Sequence, residues 1–201
     1  MTVTFERIGG ALCLDFANTG SQRREGPFKE KLHSYADLLA WSEEAGQLER
    51  EQADQLTAKS ERSPAEAESV LERAKELREA VYRVFSARFH GDALPADDLR
   101  RISDEYAYAA AQRVLAPTES GEIDFAWRDT DALERPLWPI AVSAAVLASS
   151  DELDRVKECA TDNCNWLFLD ASKNRSRRWC EMKECGNRAK ARRHYQRHRT
   201  S

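Results

Sequence analysis

Between Ser63 and Gly91 the chain carries its most regular pattern. Val70, Ala74, Leu77, Val81, Val84 and Phe85 recur at helical spacing, giving one apolar face that runs to about Phe89. Ser63-Pro64-Ala65-Glu66 supplies an N-cap, a proline at the first helical position and the glutamate of a capping box, and Gly91 supplies the stop. Similar reasoning predicts a helix opened by Ser34 and Asp37, carrying Leu38, Leu39, Trp41 and Ala45 and closed by Gly46. A weaker amphipathic stretch spans 50–60. A further helix over 95–113 turns Leu99, Ile102, Tyr106 and Ala109 inward, and 137–147 is helical behind Pro136 and Pro139. Between these last two the period changes to two: Val114 and Leu115, a Glu119-Ser120-Gly121 turn, then Ile123, Phe125 and Trp127 at alternate positions predict a short hairpin. Residues 11–16 are apolar but too few for periodicity to choose between a strand and a helical turn.

After residue 150 the apolar pattern gives way to charge and cysteine. Residues 155–201 hold 13 Lys+Arg against 5 Asp+Glu, a net +8, whereas residues 1–154 hold 18 against 30, a net -12. The division predicts a boundary at 151–154, with a helical domain over 1–150 and a basic module over 155–201. A basic segment on an acidic body points to a polyanion partner or to docking on its own acidic domain. Residues 1–20 lack the basic start and continuous apolar run of a secretory leader. The longest apolar run, 137–148, is too short to cross a bilayer, so a cytoplasmic protein with no membrane partner is expected.

The module's cysteines form two equal brackets, Cys159-x4-Cys164 and Cys180-x4-Cys185, fifteen residues apart. In a reducing compartment that arrangement points to metal rather than disulfides, and specifically to one tetrahedral Zn²⁺ held by Cys159, Cys164, Cys180 and Cys185. Residues 155–159 and 166–170 read as short strands flanking the first bracket. Cys185 stands at the start of a helix to about Arg199, which together make a treble-clef-like arrangement. A unit this small has too little core to fold alone, and a structural metal is the expected remedy. With all four positions filled by thiolate no site remains for substrate. His194 and His198, one helical turn apart, could chelate metal but are not needed. Cys13, in apolar surroundings, is expected to be a buried, inert thiol. The fold class is thus mainly α: a helical N-terminal domain with a short β-hairpin, then a four-cysteine zinc module ending in a basic helix.

The run Cys164-Asn165-Trp166-Leu167-Phe168-Leu169-Asp170, with Arg175-Ser176-Arg177-Arg178-Trp179-Cys180 and Cys185-Gly186-Asn187-Arg188, resembles the CGNR zinc-finger family over about 155–199. Lys173 departs from the arginine expected there in many relatives. Leu14-Asp15-Phe16-Ala17-Asn18-Thr19 is similar to the opening motif of the ABATE domain, which commonly precedes that finger in bacterial stress-induced transcription regulators. The resemblance implies a DNA-binding regulator whose helical domain senses a signal or dimerises.

On the residues alone, nucleic acid is the first candidate partner, and the resemblance makes it double-stranded DNA. Arg175, Arg177 and Arg178 in the loop before Cys180 would grip phosphates, and Arg188, Lys190, Arg192, Arg193, Arg197 and Arg199 surround the last helix, Arg188, Arg192 and Arg193 being best placed for base edges. The competing reading is an RNA-binding or protein-interaction module, in which Trp166, Trp179 and Tyr195 could stack bases, although the two tryptophans also suit packing beside the metal. No phosphate loop, nucleophile elbow or zinc-protease helix is present, so no enzyme is expected. Asp15 and Asn18 are candidates for a ligand pocket taking a small effector, against a capping or turn role, and a homodimer is a further candidate.

Overall fold

Cys13, Leu14, Phe16 and Ala17 leave almost nothing to solvent, and the short segment that carries them is a helix, α1 (Leu12–Ala17), at the centre of the molecule. The computed structural model describes residues 5–21, 27–161 and 163–199, the side chains of 193, 194 and 196–199 excepted. Around α1 stand α2 (Tyr35–Glu44), α3 (Arg50–Arg62), the long α4 (Pro64–His90), α5 (Ala96–Ala110) and α6 (Leu137–Ala148). Phe16 and Trp41 meet edge to face at 4.9 Å, and Trp41, Trp138, Phe16 and Phe85 are the bulkiest fully buried side chains. Burial pushes the Cys13 thiol up to about 12, as an inert core cysteine requires. Among the described residues no helix is long and apolar enough to cross a membrane.

The local signals act largely as read. Ser34 and Asp37 form both halves of a capping box on α2, and Gly91 adopts φ 75° at the end of α4. Ser63 differs. It ends α3 as well as beginning α4, its N–H bonds the Lys59 carbonyl, and its hydroxyl makes no cap, so Pro64 alone starts the long helix. Tyr106 and Phe89, expected inward, are 41% and 40% exposed; on α5 it is Asp98, Ile102, Glu105 and Ala109 that face the body, and Phe89 lies in the last turn of α4. The predicted hairpin is β3 (Arg113–Pro117) with β4 (Ile123–Trp127), paired Leu115 to Phe125. Its alternating apolar face points largely to solvent, against the expectation for a packed strand. A pairing without sequence warning joins β1 (Gly20–Ser21) to β2 (Lys29–Glu30). Glu30 then accepts two bonds from the buried Arg78 of α4, at 2.5 and 2.7 Å.

The acidic stretch expected as a junction is a 3₁₀ turn (Asp151–Arg155), followed by the antiparallel hairpin β5 (Val156–Glu158) and β6 (Leu167–Leu169). Val156 and Leu167 belong to the same apolar cluster as Leu14 and Phe85, so the core runs across the junction. The outer edge of β6 is met from α1. Asn18 is buried, its amide donates to the Leu167 carbonyl at 2.8 Å and its oxygen accepts from the Leu167 N–H at 2.9 Å, so one side chain replaces a missing strand. Two residues along, the Leu169 N–H donates to the Gly9 carbonyl at 2.7 Å. Gly10 passes so close to Leu169, at φ 81°, that a side chain there would be strained.

Asn18→Ala would strand two buried backbone groups of β6, each costing about 1–3 kcal/mol, so urea unfolding of the zinc-loaded protein should show a loss of roughly 2–4 kcal/mol. A loss below about 0.5 kcal/mol would mean that water replaces the amide and that the clamp carries no weight.

Candidate metal centre and basic surface

The two brackets fold into knuckles for separate local reasons. In the first, the Cys159 N–H bonds the Trp166 carbonyl at 2.8 Å, continuing the β5–β6 ladder, and the Cys164 N–H turns back onto the Thr161 carbonyl. Asn165 follows at φ 58°, a conformation asparagine tolerates, and its amide donates to the buried Glu158 carboxylate at 3.0 Å. Glu158 also accepts from Ser86 of α4 at 2.8 Å and meets His90 at 3.3 Å, which fastens the knuckle to the helical domain.

In the second knuckle Cys185 lies in a single π-helical turn (Met182–Gly186), closed by a bond from the Gly186 N–H to the Glu181 carbonyl. Gly186 lies against the Met182 side chain, whose sulfur a side chain at 186 would displace. Asn187 donates its amide to the Lys183 carbonyl at 2.7 Å and begins α7 (Asn187–Arg199). The tetrapeptide at 185–188 is therefore a ligand, a close approach, a cap and an exposed cation in turn.

All four sulfurs lie within 4.8 Å of one another, and all four cysteines are buried and unpaired by disulfide. The Cys164–Cys180 and Cys180–Cys185 sulfur separations are 3.5 and 3.6 Å. A zinc–sulfur bond of about 2.3 Å in a tetrahedron sets its ligands roughly 3.8 Å apart, so the donor set fits that ion in number, chemistry and spacing. Among themselves the thiols share protons: hydrogen bonds from Cys164 and Cys180 hold Cys159 low, and the same bonds to Cys159 push those two up. A bound Zn²⁺ supplies the positive charge that lets all four be thiolates. Phe168 is fully buried beside the cluster, with Ile8, Trp166 and Trp179 packed against it.

The loop 171–179 is held by a network that spacing alone did not announce. Burial would raise the Asp170 carboxyl, but bonds from Lys157 at 2.7 Å, the Ser172 hydroxyl and N–H, and the Arg177 N–H hold it well below the usual carboxylate range. Lys157 also caps the Arg175 and Arg177 carbonyls, at 2.5 and 3.2 Å. Arg177, expected to grip phosphate, instead lies over the Phe168 ring at 4.6 Å and donates to the Trp179 carbonyl at 2.9 Å and to the Cys180 carbonyl. A guanidinium that satisfies two carbonyls beside a metal ligand braces the loop, a role the sequence reading did not foresee.

Asp15 and Asn18, the candidates for a ligand pocket, both hydrogen-bond backbone groups. Asp15 accepts from the Gly9 N–H at 2.7 Å, with burial raising its carboxyl, while Asn18 is occupied by Leu167. Asp15 thus holds a nearby turn, whereas Asn18 pairs with a distant strand edge, a role neither reading of the sequence contained. Of the remaining predicted cations, Arg175, Arg178, Arg188, Lys190 and Arg192 are exposed. Arg178 lies 5.6 Å from the Trp179 ring, and Arg188 stands 4.0 Å from Glu184 one turn earlier. Arg193, Arg197 and Arg199 follow on α7, but their side chains, with those of His194 and His198, lie outside the described residues.

Purified without added metal, the protein should carry one zinc per chain by native mass spectrometry, and Cys180→Ser should lose it; a chain that never holds zinc would contradict the centre. Asp170→Asn tests the brace. The folded carboxyl is held low, so its contribution to stability is present above the unfolded pKa of about 3.9 and is lost as pH falls through that value. The variant should accordingly be less stable than wild type at pH 7, with the gap narrowing below about pH 4.

No curated protein matches the chain. Residues 155–198 match the family model described as "CGNR zinc finger", which with the cysteine cluster assigns one structural zinc. Residues 10–151, most of the chain, match the model ABATE, described as "Putative stress-induced transcription regulator". The chain therefore belongs to the ABATE family and carries a CGNR zinc finger after its ABATE region.

Proposed function

We propose that this protein is a DNA-binding transcription regulator whose zinc module presents cations to the duplex while the helical domain receives the signal. The observation that carries the reading is the exposed set Arg175, Arg178, Arg188, Lys190 and Arg192, distributed over a loop and a helix that leave the same closed metal centre. Cations fixed in space by a folded scaffold lose little freedom on meeting phosphate, and arginine adds bidentate contact to phosphate or guanine. The net +8 of the module and the family's description support the same reading. A zinc whose four positions are all protein thiolates has no site for substrate, so the metal acts as a scaffold in this reading and no enzymatic activity is proposed. The reading implies a cytoplasmic protein.

Base-stacking recognition of RNA is less well served. Trp166 and Trp179 are packed against the cysteine cluster, with Lys31 5.6 Å from the Trp166 ring, so their faces are engaged. Tyr195, at 73% exposed, is the one aromatic of α7.

If about five phosphates are neutralised, affinity for duplex should fall about 500-fold between 50 and 200 mM monovalent salt, measured by titrating labelled duplex. Arg188→Ala and Arg192→Ala should each reduce the salt slope by about one if they contact phosphate. Absence of duplex binding at the lower salt would remove the proposal. Single-stranded RNA displacing duplex at equal concentration would move the assignment to RNA.

A further inference from the structure

Arg135 is only 6% exposed, yet its buried Nη1 has no hydrogen-bond acceptor among the described residues. Arg78, the other deeply buried arginine of the helical domain, shows what is missing: Glu30 takes two of its bonds and Glu79 a third. Burial without such partners pushes the Arg135 guanidinium down to about 10. Glu134, the carboxylate next in the chain, acts on Tyr35 and Arg73 instead. A cation in apolar surroundings is strongly unfavourable unless an opposite charge meets it.

Two further features gather at the same place. The turn 133–136 sets Arg135 directly before α6, whose first turn holds no acidic side chain and whose N-cap, Pro136, supplies no side-chain cap. A helix start of that kind favours an anion. Trp138, in that first turn, is 2% exposed, and its indole Nε1 likewise has no acceptor. The guanidinium carbon of Arg135 lies 5.4 Å from the centre of the Trp138 ring and 5.2 Å from that of Trp127, the two rings being 5.8 Å apart. The aromatic faces hold the cation in place without neutralising it. Arg113 adds a second positive charge nearby, over Trp127 at 5.6 Å and Phe125 at 4.3 Å.

We infer that the start of α6 is a binding site for a small organic acid, with Arg135 and the Trp138 indole N–H donating to its carboxylate beside the rings of Trp127 and Trp138. A guanidinium offers a carboxylate two parallel N–H bonds, a match of shape as well as charge. A carboxylate also brings the single negative charge that one buried guanidinium balances, whereas a phosphate dianion would leave a second charge unpaired against apolar walls. Water would accept from either donor yet leave the cation unneutralised. The site deepens the proposed function and rests on it for its purpose: it gives the signal received by the helical domain a chemical class and a place.

Benzoate serves as the probe, titrated into the full zinc-loaded chain without DNA and followed by tryptophan fluorescence and calorimetry. A dissociation constant of about 1 mM is expected for an acid of this size. Benzamide, its neutral isostere, and inorganic phosphate should each bind at least about tenfold more weakly, a comparison that needs no variant. Arg135→Met, which removes the charge at similar length, should weaken benzoate binding at least about 30-fold, and Arg135→Lys, which keeps the charge but loses the fork, about tenfold. Trp138→Phe, which removes the indole N–H, should weaken it about fivefold. Circular dichroism and zinc content of each variant separate lost binding from lost fold. No saturation of wild type by about 30 mM benzoate, benzamide or phosphate binding as tightly as benzoate, or Arg135→Met binding as tightly as wild type would each overturn the inference. Duplex titrations are separate, so their failure removes the regulator reading and leaves acid binding standing, while failure here leaves duplex binding untouched.

Discussion

The module beyond residue 155 depends on four sulfurs converging on one point. Its own apolar material is a three-residue strand on each side of a knuckle, the buried Phe168 and two half-buried tryptophans. That is too little to offset the conformational entropy of some 45 residues by burial alone. Ligation changes the balance by replacing many weak contacts with a few directional ones, and it fixes two otherwise unrelated turns, a hairpin knuckle and a π-helical turn, against each other. The direction in which α7 leaves the module follows from that, because Cys185 sits in the turn that becomes the helix.

Metal is not the sole support. Asn18 and Gly9 bond the free edge of β6, Glu158 gathers Ser86, His90 and Asn165, and Val156 and Leu167 complete the core of the helical region. The six-residue run Leu14-Asp15-Phe16-Ala17-Asn18-Thr19 now has a physical meaning. Leu14, Phe16 and Ala17 are core, Asp15 orders Gly9, Asn18 stands in for a strand, and the Thr19 hydroxyl closes the helix onto the Phe16 carbonyl. The run holds the finger through these backbone contacts.

What the sequence disclosed and what it concealed divide along the range of the interaction. Cysteine spacing, the Ser34–Asp37 cap, Gly91 and the alternation at 123–127 are local signals, and each produced the element it announced. Ser63 failed as a cap because two helices compete for one residue, which a reading of one helix at a time cannot weigh. Arg177 and Asn18 look like functional polar residues because their partners, carbonyls near the metal and an edge strand 149 residues away, come together only on folding. The outward face of β3–β4 was hidden for the same reason. Alternation shows that a strand has two unlike faces, but only packing decides which of them meets water.

The edge bonds link metal and helical domain in one thermodynamic unit. Leu167 is held on one side by β5, whose ladder continues through the Cys159 N–H to the Trp166 carbonyl, and on the other by Asn18 of the α1 end. Zinc binding the folded arrangement better than the unfolded one therefore stabilises the seating of α1 as well as the knuckle, and disturbance of α1 is felt at the ligands by the same amount. Two independent domains on a flexible tether would give no such reciprocity. Here the junction is a tight 3₁₀ turn between parts of a single core, so the acidic and basic halves of the chain are divided in charge while continuous in packing.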